Sequence, residues 1–552
     1  MRKSIWIILA SLLCLFFIQP AVAQTESTEL ADGQPVAAQT GCLEDGVLRV
    51  GSSDPISTMD VHLTSEEYMI PLNIYERLFD IRVDEDGLDL LDPGLAEDYT
   101  VSEDGLTYSF TLREDAYFSD GTPVKASDVA FTFSRMLSHP GSKQTDFADM
   151  ILGAQDVIMK KRDQPEGIRV LDDRHLDITL SEPFSGYVYL LASPPCSILS
   201  EAFVKKVGDE YGSDEETTLG SGPYMVTAYS KEQVILEKNP YYHCHKGEKL
   251  SASSVWLTTL PPAVMYSSFQ NGDLDILDTN LINPDAVDEI IDSGKWLKRL
   301  VVCDRVEIRY LMMNMDTPPL DDVRIRKAVQ LAIDRQKILD ELYGGAGILI
   351  DGIFPKGLIG YCKENQGWLK YDPEEAKRLI SEVPGAREAR LELAANSQTD
   401  SRKLTMLQMI CDDLREVGLN VSIVSYDSES YTYLRHSGDL ISYTGEWSAD
   451  YNDPDNFIYT FFGNRGKTLY RSSNFADEEI LSRIRKARTI KDWEERMDEY
   501  AALERILVRE DAVWVPLIST EHLFVLGSRV RSFQPFWAGW SSMYFRDVEM
   551  KE

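Results

Sequence analysis

The residues of this 552-residue chain that could do chemistry are scattered, and the common catalytic spacings are missing from its sequence. Gly220-Ser221-Gly222 is too short for a serine-hydrolase nucleophile elbow, and no zinc-protease, phosphate-loop or dinucleotide signature occurs. His243-Cys244-His245 lies in a polar stretch without a further ligand pair, so we interpret it as an exposed turn. The sequence therefore predicts a protein that is not an enzyme and that carries no metal or other cofactor.

The elements that would position such residues alternate between strands and helices, which predicts an α/β protein. Thr107–Leu112 alternates polar and apolar residues, as a strand with one buried face does. Ser127 is predicted to cap a helix, and Asp322 is predicted to begin another that ends near Gly344. The apolar stripe of the first helix is Val129, Phe133 and Leu137. Further strands are predicted at 47–50, 175–180, 234–237 and 421–424.

The amino-terminal residues 1–23 have the anatomy of a secretory signal, with a basic start, an apolar run and Ala21-Val22-Ala23 before the expected cleavage. The apolar run is short for a membrane span, and a retained amino-terminal anchor is the alternative. Residues 24–42 are small and polar, which predicts a flexible leader. We therefore expect an exported, extracytoplasmic protein, in the periplasm or at the cell surface.

The charge, length and cysteine content of the chain bear on its binding partners, its number of domains and its disulfide bonds. A formal net charge of −35 repels nucleic acid and anionic lipid, so neither is expected to bind. The length after the signal exceeds what one hydrophobic core usually supports, which predicts two or three domains. Six of the seven cysteines follow the signal; an exported chain can pair them all, but the sequence does not choose a pairing.

A resemblance to a known family begins at Gly94-Leu95-Ala96-Glu97. The stretch GLAEDYTVSEDGLTYSFTLREDAYFSDGTPVKASDVAFTFSRML resembles the signature of the family 5 extracellular solute-binding proteins, which bind oligopeptides, dipeptides or nickel. Four further stretches resemble the family in the same order: VLDDRHLDITLSEPF, GSGPYMVTAYSKEQVILEKNPYY, FQNGDLDI and DDVRIRKAVQLAIDRQKILDELYGG. Near the end, WSADYNDP resembles the segment that lines the ligand cleft in this family.

The resemblance implies a two-lobed fold of the periplasmic-binding-protein type (type II), with an extra domain in the larger lobe and a cleft that closes on the ligand. The implied boundaries are 43–76, 201–305 and 521–552 for lobe I, 77–200 for the extra domain II, and 306–520 for lobe III.

Asp450 is the residue about which the resemblance says most. In peptide-binding relatives the aspartate of this segment pairs with the α-ammonium group of the peptide. A carboxylate in a closed cleft is costly to bury unpaired, so it selects a cationic partner. Trp447 would offer a flat apolar wall to the ligand. The structural alternatives are a turn partner for residues 451–453 in the case of Asp450, and a packed core ring in the case of Trp447.

The neighbours of Asp450 depart from the pattern of the relatives. Glu446 replaces a usual glycine and adds a negative charge, which would favour basic peptides or a dication. Thr444 replaces an arginine of oligopeptide binders, so the grip on a peptide carboxylate is expected to differ. Ser448 replaces a cysteine that some oligopeptide binders carry, and Tyr451 matches the pattern of the oligopeptide binders. We expect Glu446, Ser448 and Tyr451 to line the ligand site.

Two more places are implied to contact the ligand. His436 has the spacing of a cleft-facing histidine in oligopeptide binders, although a lone histidine is more often structural. Thr64, Ser65 and Glu66 occupy the loop in which relatives form strand-like hydrogen bonds to the peptide main chain. That mode of binding reads the backbone and tolerates many side chains.

The function that follows is the extracytoplasmic solute-binding component of an ABC importer. The expected ligands are short peptides, and the expected partners are the membrane permease and ATPase subunits, with the binding protein itself a monomer. The alternatives are another solute, such as chelated nickel, an opine or an oligosaccharide, and presentation of the ligand to a sensory receptor.

Overall fold

Three sheets of four or more strands, with helices packed on them, organise the part of the chain that the structure describes. This computed structural model describes residues 46–53, 55–64, 68–83, 89–243, 250–535 and 543–551. The predicted signal and leader, together with Ser65 and Glu66, lie outside these residues. Within these ranges no helix is both long and apolar enough to cross a membrane.

The first sheet is mixed and has seven strands drawn from both ends and the middle of the chain. The strand Val47–Ser52 lies at its centre and pairs in parallel with Ser254–Thr259 and Ile276–Asp278. The remaining contacts between neighbours are antiparallel. In spatial order the strands are Leu300–Asp304, Glu521–Leu526, Ile276–Asp278, Val47–Ser52, Ser254–Thr259, Gln233–Lys238 and Tyr224–Tyr229.

The second sheet has six strands and separates two apolar cores. Along its strand Glu307–Met313, Tyr310 and Met312 face one core and Leu311 and Met313 face the other, as period-two alternation requires. In spatial order its strands are Ile348–Leu349, Trp514–Ser519, Glu307–Met313, Ser442–Ser448, Arg390–Asn396 and Asn420–Tyr426.

The third sheet is antiparallel and lies within one continuous stretch of chain. Its strands in spatial order are Ala96–Val101, Thr107–Leu112, His175–Thr179 and Ile168–Val170. Two strand pairs complete the β-structure: Phe79–Val83 with Asp89–Pro93, and Val530–Phe533 with Val548–Met550.

The helices pack on the faces of these sheets. The longer ones are Ala126–Ser138, Pro262–Asn271, Pro284–Asp292, Val323–Ala332, Arg335–Tyr343, Pro373–Ser381, Ser401–Glu416, Ser428–Ser437, Asp455–Phe462, Glu478–Ala487 and Trp493–Arg505. Shorter ones are Pro71–Ile74, Ala154–Ile158, Tyr187–Leu190, Glu201–Val207 and Arg465–Tyr470. The structure from Asp45 onward forms one compact unit, and the predicted division into lobes stays a prediction.

The predicted elements are present. Thr107–Leu112 is a strand with alternating burial, and the strands predicted near 47, 175, 234 and 421 are found within a residue or two of their expected ends. The stripe of the first predicted helix is buried at Val129, Phe133 and Leu137.

Two helix boundaries differ from the prediction. Ser127 is not a cap, because the helix begins at Ala126 and the carboxylate of Asp128 instead accepts the backbone N–H of Lys125 at 2.9 Å. The helix that begins after Asp322 ends at Ala332, and a second helix begins at Arg335. Asp334 causes this break, because its side chain accepts the N–H of Lys337 and caps the second helix.

The interpretation of His243 as part of an exposed turn is wrong. Its side chain is buried, and its Nε2 lies 2.6 Å from a carboxylate oxygen of Glu76 and 3.1 Å from the guanidinium of Arg113. Cys196, Cys362 and Cys411 are free thiols, so the cysteines do not all pair.

Candidate functional site

A cavity of about 780 Å³ opens between two parts of the chain that are distant in sequence. One wall comes from residues 146–190, which flank the four-stranded sheet, and the other from residues 447–488, which follow a central strand of the six-stranded sheet. Trp447, Asp450 and Tyr451, all predicted from the sequence, line it together. A polar, concave space of this size suits a small organic ligand.

Asp450 is held in this cavity by Asn456. The Nδ2 of Asn456 donates to the carboxylate of Asp450 at 3.0 Å, and its Oδ1 accepts both the N–H of Asp450 at 3.0 Å and the indole N–H of Trp447 at 3.1 Å. From the opposite wall, the hydroxyl of Ser193 donates to the carbonyl of Asp450 at 3.0 Å. These bonds fix the carboxylate before any ligand binds.

The carboxylate of Asp450 lacks a cationic partner among the described residues. Burial raises its pKa to about 6; the hydrogen bond from Asn456 and the more distant charge of Arg471 oppose this shift, and Asp146 adds to it. No described lysine, arginine or histidine lies within ion-pair distance of it. A carboxylate in this position is stabilised by any cation that enters the cavity.

The other carboxylates of the segment are already paired. Asp453 is fully buried and accepts two hydrogen bonds of 2.7 Å from Arg496. Asp455 lies 3.0 Å from Arg488 and also accepts the hydroxyl of Tyr451 at 3.2 Å. Asp450 therefore differs from its two neighbours in having no protein cation of its own.

Two aromatic residues complete the wall around Asp450. Trp447 is half-buried, and its ring packs edge-on against Phe461 with a centroid distance of 5.4 Å. Tyr451 meets the edge of Phe184, which belongs to the opposite wall, at 6.1 Å. Both rings present apolar area to the cavity while their polar atoms are bonded to Asn456 and Asp455.

Charged residues that no sequence motif indicated also line the cavity. They are Asp146, Asp149 and Glu182 on one wall, and Lys467, Arg471 and Arg488 on the other. No motif surrounds them, and the two walls are about 300 residues apart in the chain, so no local signal could have found them.

Glu446 and Ser448 lie on the face of the strand opposite to Trp447, and neither lines the cavity. Strand alternation places them there, because successive side chains point to opposite faces. The carboxylate of Glu446 accepts hydrogen bonds from Lys403 at 2.9 Å and from Arg309 at 3.3 Å. Burial would raise its pKa, but these two cations lower it overall. The hydroxyl of Ser448 donates to Glu307 at 3.3 Å.

His436 and Thr64 also do not line the cavity. His436 stacks on Tyr470, which does line it, with ring centroids 3.7 Å apart. Thr64 is buried, and its carbonyl accepts the hydroxyl of Tyr68 at 3.1 Å and the side-chain amide of Gln144. Their predicted contacts with a ligand stay predictions. The described residues include no cluster of His, Cys, Asp or Glu that could hold a metal ion.

Comparison with known proteins identifies one family. Residues 91–468 match the description "Bacterial extracellular solute-binding proteins, family 5 Middle". The chain is 29% identical over 442 residues to the di/tripeptide-binding protein 2 of Pseudomonas aeruginosa, covering 77% of this chain and 80% of that protein. It is 25% identical over 496 residues to the heme-binding protein A of Haemophilus influenzae, covering 87% of each.

Solved structures share the fold. The unliganded open form of the periplasmic murein tripeptide-binding protein MppA matches with a TM-score of 0.79 at 21% identity, covering 92% of this chain and 98% of that one. The ABC transporter-associated periplasmic binding protein DppA from Helicobacter pylori, in complex with the peptide STSA, matches with a TM-score of 0.68 at 23% identity, covering 92% of this chain and 98% of that one. The predicted α/β fold of a two-lobed periplasmic binding protein is confirmed.

Proposed function

Because the chain belongs to family 5 of the bacterial extracellular solute-binding proteins, we propose that it captures short peptides at Asp450 and delivers them to an ABC importer. Family membership places the protein outside the cytoplasm. Export through the amino-terminal signal, a monomeric state and delivery to permease and ATPase subunits belong to the proposal, as does the absence of catalysis.

The observation that carries the proposal is the unpaired carboxylate of Asp450 in a pre-formed cavity. A peptide amino terminus brings an ammonium group with three donors, and Asn456 occupies only one side of the carboxylate. Trp447 and Tyr451 supply flat walls for the first residue. The di/tripeptide-binding relative and the peptide-bound structure from Helicobacter pylori support this choice of ligand.

The proposed capture is a closure of the two walls on the ligand. The seven-stranded sheet would be the core of lobe I, the four-stranded sheet that of the extra domain, and the six-stranded sheet that of lobe III. Their strands come from the chain segments with the boundaries given above. The cavity has one wall beside the four-stranded sheet and the other beside the six-stranded sheet, so a ligand in it would bind both and favour the closed state.

The test is the substitution Asp450→Asn, measured by calorimetry with a tripeptide and its N-acetylated form. Truncating one partner of a buried charge pair costs about 2–5 kcal/mol, so the free peptide should lose roughly 30-fold or more in affinity. The acetylated peptide, which carries no ammonium, should bind weakly to both proteins and change little.

The matched control is Asp498→Asn, since Asp498 is exposed and does not line the cavity. It should bind both peptides as the unaltered protein does. Equal losses for the free and the acetylated peptide in Asp450→Asn would remove Asp450 from the ligand. Release of heme or a sugar, in place of peptides, from the purified protein would overturn the choice of ligand.

A further inference from the structure

The guanidinium of Arg471 is a second charged group of the cavity that has no ion-pair partner among the described residues. It lies 4.9 Å from the ring centroid of Trp447, 4.6 Å from that of Phe461 and 5.8 Å from that of Tyr470. Among the described residues, no carboxylate lies within ion-pair distance and no group accepts a hydrogen bond from this side chain. The aromatic rings therefore hold the guanidinium plane of Arg471 in place, and its N–H groups stay available to another acceptor.

Arg471 lies at the same end of the cavity as Asp450. Burial raises the pKa of both Asp450 and Asp149; Arg471 opposes this shift at Asp450, whereas Lys467 and Arg488 oppose it at Asp149. Trp447 contacts both groups. Its indole N–H and the backbone N–H of Asp450 donate to the same oxygen of Asn456, and the guanidinium of Arg471 lies over its ring. An anion bound to Arg471 would thus lie close to a cation bound to Asp450.

Lys467 and Asp149 are two further charged residues that line the cavity. Lys467 precedes Arg471 by one helical turn, and its Nζ lies 4.8 Å from the ring of Tyr459. Burial lowers the pKa of Lys467, and the charges of Asp455 and, more weakly, of Asp149 on the opposite wall partly offset this. No carboxylate oxygen of Asp146, Asp149 or Glu182 on the opposite wall lies within ion-pair distance of Arg471.

Building on the proposed function, we propose that Arg471 binds a carboxylate on the same ligand residue whose ammonium group binds Asp450. The preferred ligand is a short peptide that begins with an acidic residue, or one whose first residue is linked through its side chain and keeps its α-carboxylate. A planar guanidinium can donate two parallel hydrogen bonds to such a carboxylate. Arg471 is then a specificity-determining residue, distinct from the cation-selecting Asp450.

Calorimetry with three tripeptides tests this proposal: Glu-Ala-Ala, its neutral isostere Gln-Ala-Ala, and γ-Glu-Ala-Ala. The unaltered protein should bind at least one of the two acidic peptides about 10-fold or more tighter than Gln-Ala-Ala, since a charge-assisted pair is worth more than a neutral one. Preference for Glu-Ala-Ala identifies a side-chain carboxylate as the ligand group, and preference for γ-Glu-Ala-Ala identifies an α-carboxylate.

The substitution Arg471→Gln should abolish this preference while keeping the affinity for Gln-Ala-Ala within about threefold, since Asp450 is intact. Arg471→Lys keeps the charge but not the paired donors and should retain only part of the preference. The matched control Lys486→Gln removes an exposed cation outside the cavity and should change nothing.

Equal affinity of the unaltered protein for all three peptides would overturn the role of Arg471 and leave the proposed function standing. A preference for acidic peptides that survives Arg471→Gln would overturn it as well. If none of the three peptides bound at all, the proposed function itself would fail, and this inference with it.

Discussion

At the scale of single residues, Asp450 combines its proposed binding role with a cost to the stability of the fold. Its carboxylate lines the cavity and receives one hydrogen bond from Asn456, but no described cation lies within ion-pair distance of it. A group of this kind is tolerated when its partner is a ligand, because the missing interaction then becomes binding energy. The paired Asp453 and Asp455 nearby have no such potential.

The cost of Asp450 can be measured through its pH dependence. Its pKa in the folded protein is about 6, above its ordinary value, so the unfolded chain releases this proton first as the pH rises. The contribution of Asp450 to stability therefore falls between about pH 4 and pH 6 and stays low above that range. We expect Asp450→Asn to stabilise the ligand-free protein by about 2 kcal/mol at pH 7.5, and hardly at all at pH 4.

Urea unfolding of the two proteins at both pH values measures this difference. Asp149, whose pKa is also raised to about 6, titrates in both proteins and cancels in the comparison. A variant less stable than the unaltered protein at pH 7.5 would contradict the assignment of an unpaired charge.

At the scale of elements, the site depends on how one strand passes into one helix. Strand alternation sends Trp447 to the cavity and Glu446 to Lys403 and Arg309 on the other face. The chain then turns through Asp450 and enters the helix Asp455–Phe462, whose Asn456 reaches back to Asp450 and Trp447. The anchor of this turn is the ion pair between Asp453 and Arg496, which lies on the helix Trp493–Arg505.

We expect this anchor to dominate the stability of the segment. Asp453→Asn would leave Arg496, which is 1% exposed, without its counter-charge, at a cost of about 3–5 kcal/mol in the free energy of unfolding. Asp173→Asn breaks an exposed pair with Lys125 in the same way and should cost less than about 1 kcal/mol.

Denaturant unfolding compares the two substitutions directly. Similar small losses for both would mean that Arg496 finds another partner and that the turn does not depend on this pair.

At the scale of the whole molecule, two short crossings connect the seven-stranded and six-stranded sheets. The chain passes from Leu300–Asp304 to Glu307–Met313 and returns from Trp514–Ser519 to Glu521–Leu526. The buried carboxylate of Glu307 joins the crossings, because it accepts the hydroxyl of Thr520. Segments this short can act as a hinge only by changing a few backbone angles.

We therefore expect peptide binding to make the protein more compact. Small-angle X-ray scattering should show a smaller radius of gyration at saturating peptide, with no change for Asp450→Asn at the same peptide concentration. In thermal unfolding, peptide at 100 times its dissociation constant should add about 2.7 kcal/mol of stability. An unchanged radius with a clear thermal shift would show binding without closure.

The sequence by itself determined the family and most of the local structure. The alternation in Thr107–Leu112, the stripe of Val129, Phe133 and Leu137, and the WSADYNDP segment each carry their information within a few residues. It also pointed to Asp450 and Trp447, because the resemblance is local there. The helix boundaries near Ser127 and Ile333 were harder to place, because the side chains that accept backbone N–H groups there are those of Asp128 and Asp334.

Only the tertiary structure decided which charges share the cavity and which are already paired. Glu446 is adjacent to Trp447 in sequence but faces Lys403 and Arg309, because a strand turns successive side chains to opposite sides. Arg471 and Asp149 line the same cavity as Asp450, although Asp149 lies on the opposite wall and far from Asp450 in the sequence. The sequence named the carboxylate that we propose binds the ligand, and the fold revealed that no described cation lies within ion-pair distance of it.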